Sequence, residues 1–172
     1  MESREMVVRR PAQSRTKKAQ GLAEVVGVLV CLVPVVLLVI DLGMIAIGAG
    51  LNDQACRDAA RAAASGPPSD LSKGENRQVG SGTAPYDRAA AVVKKIYSTS
   101  LPMKVRESIQ AVETVRDIPT DIGGAVDGEV SVKTTIDIFP PFLAGAVVGP
   151  QGVALNCTHT VPITYVVPNK NP

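Results

Sequence analysis

The sequence predicts an α+β protein in which a long N-terminal transmembrane helix continues into a small domain of about three antiparallel strands and a short helix. Residues 25–49 form an apolar run that is interrupted by one charged residue, Asp41. Residues 51–65, which follow it, contain no glycine or proline. Further on, two segments alternate apolar with polar residues. These patterns divide the chain into a basic leader (1–21), a transmembrane and projecting helix (22–65) and an extracytoplasmic domain (66–172).

The apolar run has the composition of a membrane span. Residues 25–40 are uncharged and include thirteen Val, Leu and Ile residues, which together favour insertion by about 4–8 kcal/mol. Asp41 interrupts the run, and one carboxylate at mid-membrane costs about 2.5–3.5 kcal/mol. Insertion is therefore favoured even if Asp41 lies deep in the bilayer, and we expect it near the outer boundary.

The charges before the span predict its orientation. The first twenty residues carry two acidic and six basic side chains, the latter being Arg4, Arg9, Arg10, Arg15, Lys17 and Lys18. By the positive-inside rule this predicts a cytoplasmic N-terminus and an outer C-terminal domain. The basic cluster is interpreted as a topology signal, so no nucleic-acid partner is expected.

The helix is predicted to extend well beyond the membrane. Residues 51–64 are rich in alanine, which favours helix, and a helix over 22–65 would be about 65 Å long, roughly twice the hydrocarbon thickness. Such length suits packing along its own domain or within a bundle of like helices. The helix carries small residues that could let another helix approach closely, namely Gly43, Ala46 and Gly50. Alternatively, these residues only alter the properties of a helix that has no partner.

The outer domain is predicted from local patterns. The expected elements are a loop over 66–84, a helix to about residue 97, and strands near 105–115, 130–138 and 153–167. Pro162 predicts an edge position or a bulge in the last strand. The connection over 139–150 is apolar and holds Phe139 and Phe142, so it could be a docking surface for a partner or a lid over the core.

Candidate chemistry is sparse in this sequence. Cys31 lies in the span, whereas Cys56 and Cys157 lie outside, where they could form a disulfide or remain thiols. His159 is interpreted as a half-buried structural residue on a mostly apolar strand face. We recognise no nucleophile motif, metal-ligand spacing or phosphate-binding loop, so we expect no catalytic residue, cofactor, metal or small-molecule substrate.

Residues 19–66 resemble the TadE-like and TadG-like proteins of the tight-adherence (Flp) pilus system, and more broadly the type IV pilins. The resemblance rests on Ala-Gln-Gly-Leu-Ala-Glu-Val at 19–25, Pro34, Asp-Leu-Gly at 41–43 and Asp-Ala-Ala-Arg-Ala-Ala-Ala at 58–64. Ala19 stands at the family's glycine position, and Val25 replaces an aromatic residue. The resemblance implies a pilin-like fold and a non-enzymatic minor pilin or pseudopilin.

The same resemblance implies how the chain would be processed and assembled. A prepilin peptidase that accepts Ala19 would make Gln20 the new N-terminus and Glu24 the fifth residue, whereas a cut after Gly21 would make Glu24 the third. Glu24 would then pair with the amino terminus of a neighbouring subunit, or else lie in the headgroup region. Asp41 likewise either pairs with a partner across a helix interface or is a solvated residue at the membrane boundary.

We therefore expect a single-pass protein of the bacterial inner membrane that is able to enter a pilus. Its expected partners are the membrane, other pilin or pseudopilin subunits, inner-membrane pilus assembly proteins and a prepilin peptidase. The alternative is a membrane-tethered binding or sensor module that uses the helix only as an anchor.

Overall fold

The computed structural model describes residues 13–98, 103–106, 109–119 and 123–169, with side chains from residue 20 onward. In chain order the elements are α1 (Gln13–Ala64), β1 (Gly74–Val79), α2 (Ala84–Ile96), β2 (Met103–Val105), β3 (Gln110–Asp117), β4 (Gly124–Ala125), β5 (Asp127–Ile138), α3 (Leu143–Val148), β6 (Val153–Pro162) and β7 (Val166–Val167).

The long helix is unbroken over its 52 residues, about 78 Å, and it passes through Pro34. It ends at Ala64, before Gly66 and two prolines, as the sequence predicts. It begins at Gln13 rather than near residue 22, so part of the leader is helical. The reason is that residues 12–20 contain no glycine or proline and several good helix formers. Residues 1–12 of the predicted leader lie outside the described residues.

The two halves of α1 have different surroundings. From Gln20 to Ile40 every side chain is exposed except the half-buried Leu37, although most of these residues are apolar. Within the described residues α1 is the one helix long and apolar enough to cross a membrane, and it is therefore a candidate span. The first fully buried residue in the described part of α1 is Asp41. The stretch before it, Gly21 to Ile40, rises about 30 Å, close to the thickness of a hydrocarbon core.

The domain is built on an antiparallel sheet, which confirms the α+β class. The twelve-residue strand β5 is central: β6 pairs along one edge, while β3 and β2 follow each other along the other. β1 extends the sheet beyond β3, and the short strands β4 and β7 form a separate pair. The alternation predicted for 130–138 is confirmed, because Val130, Val132, Thr134, Ile136 and Ile138 are all buried.

The predicted number of about three strands is wrong. Strand β1 falls in the predicted loop because its residues Glu75 to Gln78 are polar, and the structure places it at the sheet edge, where polar residues are tolerated. The strand predicted over 105–115 is two strands, β2 and β3. Strand β6 pairs only with β5 among the described residues, so Pro162 lies on an edge strand as predicted.

The projecting half of α1 lies on one face of the sheet and packs against α2. Its buried residues recur every three or four positions and are mostly alanines: Ala55, Ala59, Ala60, Ala63 and Ala64. Small side chains let the helix approach the valines of β3 and β5 closely. The main core cluster is therefore shared by α1, α2 and the sheet, and the domain would lose much of its core without the helix.

A buried amide fixes the position of α1 on the sheet. Asn52 is 2% exposed. Its Oδ1 accepts hydrogen bonds from the Tyr97 hydroxyl at 2.9 Å and the Thr134 hydroxyl at 2.8 Å, and its Nδ2 donates to the Leu155 carbonyl at 3.3 Å. These partners belong to the end of α2, to β5 and to β6, so a single side chain connects the helix to three parts of the domain.

The C-terminal end of α1 is held by a second set of contacts. The Arg88 guanidinium donates to the carbonyls of Ala62 at 2.9 Å and Ala63 at 2.6 Å, and the Thr164 backbone N–H donates to Ala64 at 3.0 Å. A cation at this position satisfies unpaired carbonyls and opposes the negative end of the helix dipole. Both ends of the projecting segment are thus attached to the domain.

Replacing Asn52 with Ala is expected to lower the free energy of unfolding by at least about 2 kcal/mol. The substitution leaves two hydroxyls and a carbonyl without their partner in a buried site, and each such group costs about 1–3 kcal/mol. Denaturant unfolding of the full chain in detergent measures the effect. The matched control is Gln54→Ala, an exposed position on the same helix; an equal loss in both variants would contradict the assigned role of Asn52.

Candidate interaction site on the long helix

The predicted processing and assembly residues lie at the start of the exposed apolar half. Gln20, Gly21 and Glu24 are all exposed, while the side chain of Ala19 lies outside the described residues. Glu24 makes no hydrogen bond or ion pair with the side chains that the structure describes. The two alternatives for Glu24, the amino terminus of a neighbouring subunit and the headgroup region, therefore stay predictions.

The predicted small-residue face of α1 is open. Gly43, Ala46 and Gly50 are exposed, and a Cβ built on Gly43 or Gly50 would meet no atom within 4 Å. At about 100° per residue these positions lie on one side of the helix, roughly opposite Asp41 and Asn52, which face the domain. A second helix could approach this side without displacing the domain.

The sequence did not indicate which glycine α1 uses within its own chain. Gly48 is buried, and a Cβ there would collide with the Cδ1 atom of Ile138 at the end of β5. Gly48 thus permits the close approach of helix and sheet, whereas Gly50, two residues further, faces away. Gly48 and Gly50 belong to one glycine-rich segment of α1. Only the rotation of the helix decides which of them faces the sheet and which faces away.

Asp41 is neither solvated nor free, because it binds the short helix α3. Its Oδ1 accepts the backbone N–H of Phe142 at 3.1 Å, and its Oδ2 accepts that of Ala144 at 2.7 Å. Two of the unpaired N–H groups at the start of α3 are therefore satisfied by a carboxylate more than a hundred residues earlier. Both sequence-based alternatives placed the partner elsewhere, in another helix or in solvent, and the structure replaces them with this intramolecular contact.

The apolar connection around Phe139 and Phe142 contains α3, which the sequence did not predict. No residue of α3 is buried, whereas Pro140, earlier in the same connection, is buried. The two alternatives for this connection, a docking surface and a lid, therefore stay predictions. Phe139 is half-buried, with the Lys104 ammonium 5.7 Å from its ring centre, while Phe142 is 42% exposed. Leu143, Val147 and Val148 are also exposed. This leaves an apolar surface at the level of Asp41, where the exposed half of α1 ends.

A cluster of polar side chains joins α1 to the edge strand β6. The Nε2 atom of His159 lies 2.8 Å from the Oδ1 atom of Asp53, and the Cys157 thiol donates to the same oxygen at 3.5 Å. The buried Cys56 thiol donates to the Val132 carbonyl at 3.2 Å, and it is close enough to Cys157 to influence the pKa of that thiol. Sequence reasoning placed His159 correctly as half-buried but missed Asp53 as its partner.

The environment of the cluster changes the acidity of two of its groups. The hydrogen bond to His159 lowers the pKa of Asp53, so the carboxylate is ionised. Burial, with a contribution from the neighbouring Cys56, raises the pKa of the Cys157 thiol to about 12. Both cysteines are free thiols in the structure, although they are neighbours. The Cys56–Cys157 disulfide therefore stays a prediction.

No family model, curated protein or solved structure matches the chain.

Replacing Asp41 with Asn is expected to loosen α3. The amide keeps the shape of the side chain but can present only one acceptor oxygen, so one of the two N–H groups faces an NH2 group. We expect faster amide hydrogen exchange over 142–149, measured by mass spectrometry on the full chain in detergent. Asp58→Asn, on the projecting half of the same helix, is the control and should leave exchange in this segment unchanged. Unaltered exchange in Asp41→Asn would contradict the capping role.

Proposed function

We propose that this chain is a non-enzymatic, TadE-like minor pilin or pseudopilin, a membrane-anchored component of a Tad (Flp) pilus or a related secretion assembly. The observation that carries the proposal is the division of one continuous helix into two halves. The first half is apolar and exposed on all sides, and the second half forms part of the core of an α+β domain. A helix used only as a tether would not need to be a structural part of the domain that it anchors.

The proposed location is the bacterial inner membrane, with the N-terminus in the cytoplasm and the domain outside. The basic residues before the apolar half support this orientation. The exposed apolar surface of α3 lies beside Asp41, at the end of the stretch that is long enough to span. In this arrangement the domain would rest against the outer surface of the bilayer, with Phe142 and Val147 at the interface.

The proposed assembly contact is between the apolar halves and open faces of neighbouring helices. Gly43, Ala46 and Gly50 offer a surface on which a second helix could pack, because small residues allow close approach of two backbones. Glu24 would set the register between subunits by pairing with a neighbour's freed amino terminus, since an unpaired carboxylate at the edge of hydrocarbon is costly. Phe139 and Phe142 would contact either the bilayer surface or another pilus component.

The first test is the effect of Gly50→Leu on assembly. A leucine on the open face should block close helix packing, so we expect fewer cross-linked pilus components to co-purify from membranes, with unchanged stability of the monomer. Gly48→Leu is the contrasting variant, because it should destabilise the domain through the contact with Ile138. Thr158→Leu, on the exposed face of β6, is the matched control. Unchanged cross-linking in Gly50→Leu would favour the simple tether.

The second test is the mass of the mature N-terminus in cells that contain the prepilin peptidase. We expect a chain that begins at Gln20, because that cut makes Glu24 the fifth residue. In Glu24→Gln we expect cross-linking to other subunits to fall while the amount of protein in the membrane stays constant. Glu75→Gln, an exposed carboxylate on β1, serves as the control. An intact chain with no pilus partner would support the alternative, a membrane-tethered binding or sensor module.

A further inference from the structure

We propose that Asp53, Cys157 and His159 form a zinc-binding site that fastens the edge strand β6 to the long helix. This inference does not depend on pilus assembly. One of the three residues, Asp53, comes from the projecting half of α1. The other two come from β6 and are two positions apart, so the alternation of the strand points both side chains towards the helix.

The donor atoms are already close enough to share one ion. The Asp53 carboxylate oxygen, the Cys157 sulfur and the His159 ring nitrogen all lie within 4.8 Å of one another. With bonds of about 2.0–2.3 Å, tetrahedral Zn²⁺ holds neighbouring ligand atoms about 3.3–3.8 Å apart. The 2.8 Å and 3.5 Å hydrogen bonds at Asp53 would be replaced by bonds to the metal through small side-chain movements. No movement of the backbone is needed to bring these three ligands together.

The fourth position of a tetrahedral ion would be taken by a water molecule, since the buried Cys56 thiol donates to the Val132 carbonyl at 3.2 Å and is not among the three grouped ligands. On binding, Zn²⁺ replaces the Cys157 thiol proton, which passes to solvent, and bonds to the thiolate, the carboxylate and the neutral imidazole. One thiolate and one carboxylate balance the charge of the ion. Arg57 pairs with the other Asp53 oxygen and so helps to orient the carboxylate.

The ligand set favours zinc over the hard cations. One thiolate, one imidazole and one carboxylate suit Zn²⁺, whereas Ca²⁺ and Mg²⁺ take oxygen ligands. The scaffold is held on both sides: β6 is hydrogen-bonded along β5, and its Leu155 carbonyl accepts from Asn52, the residue before Asp53. The metal would stabilise the folded domain because it binds a site that exists only when helix and strand are together.

The test uses the full chain in detergent, reduced and freed of metal by a chelator, and titrated with zinc chloride. We expect one bound Zn²⁺ per chain and an increase in Tm. Cys157→Ser and His159→Asn should each weaken binding by at least about tenfold, the loss that follows even from removing an outer partner of a metal ligand. Cys31→Ser and Asp58→Asn are the controls for cysteine and carboxylate, and they should bind as the unaltered chain does.

Cobalt provides a readout that does not depend on the variants folding. Co²⁺ added to the unaltered reduced chain should give the intense d–d bands of a tetrahedral site and thiolate-to-metal charge-transfer absorption, and added Zn²⁺ should abolish both. Three results would overturn the proposal. These are binding of less than one Zn²⁺ per chain, binding without the thiolate absorption, and isolation of the chain from its native membrane with Cys56 and Cys157 joined as a disulfide.

Discussion

The close contact between the projecting half of α1 and the sheet is the constraint on which the other features depend. Alanines give this helix face a smooth surface, and smooth surfaces can pack almost equally well one turn higher or lower. Asn52 removes that freedom, because its three hydrogen bonds to the end of α2, β5 and β6 can be made in only one position. A buried polar group that is satisfied in a single arrangement specifies the register of the packed elements.

The fixed register determines where the domain begins along the helix. Asp41 lies three turns before Asn52 and accepts the first N–H groups of α3, and it is the first fully buried residue in the described part of the helix. Of the twenty residues before it, all but the half-buried Leu37 are exposed, and their combined length is close to the thickness of a hydrocarbon core. Asp41 thus marks the boundary between the exposed apolar half of the helix and the half that belongs to the domain.

The same register brings the polar cluster together. Asp53 and Cys56 follow Asn52 on α1, and Cys157 and His159 follow Leu155 on β6, so the hydrogen bond from Asn52 to Leu155 aligns the two pairs. A shift of one helical turn, about 5.4 Å, would separate them beyond the reach of a shared ion or hydrogen bond. The packing of the helix and the chemistry at its flank therefore have one structural cause.

Several features of the fold could be predicted because adjacent residues encode them. The unbroken helix, its apolar half and the inward residues of β5 and β6 follow from composition and local periodicity, which depend on near neighbours in the chain. Strand β1 was not predictable, because a polar strand of six residues becomes stable only when β3 is beside it. The tertiary structure alone decided that Gly48 rather than Gly50 faces the sheet, that Asp41 binds α3, and that His159 meets Asp53. Each of these depends on the rotation and register of elements about a hundred residues apart, which no local pattern specifies.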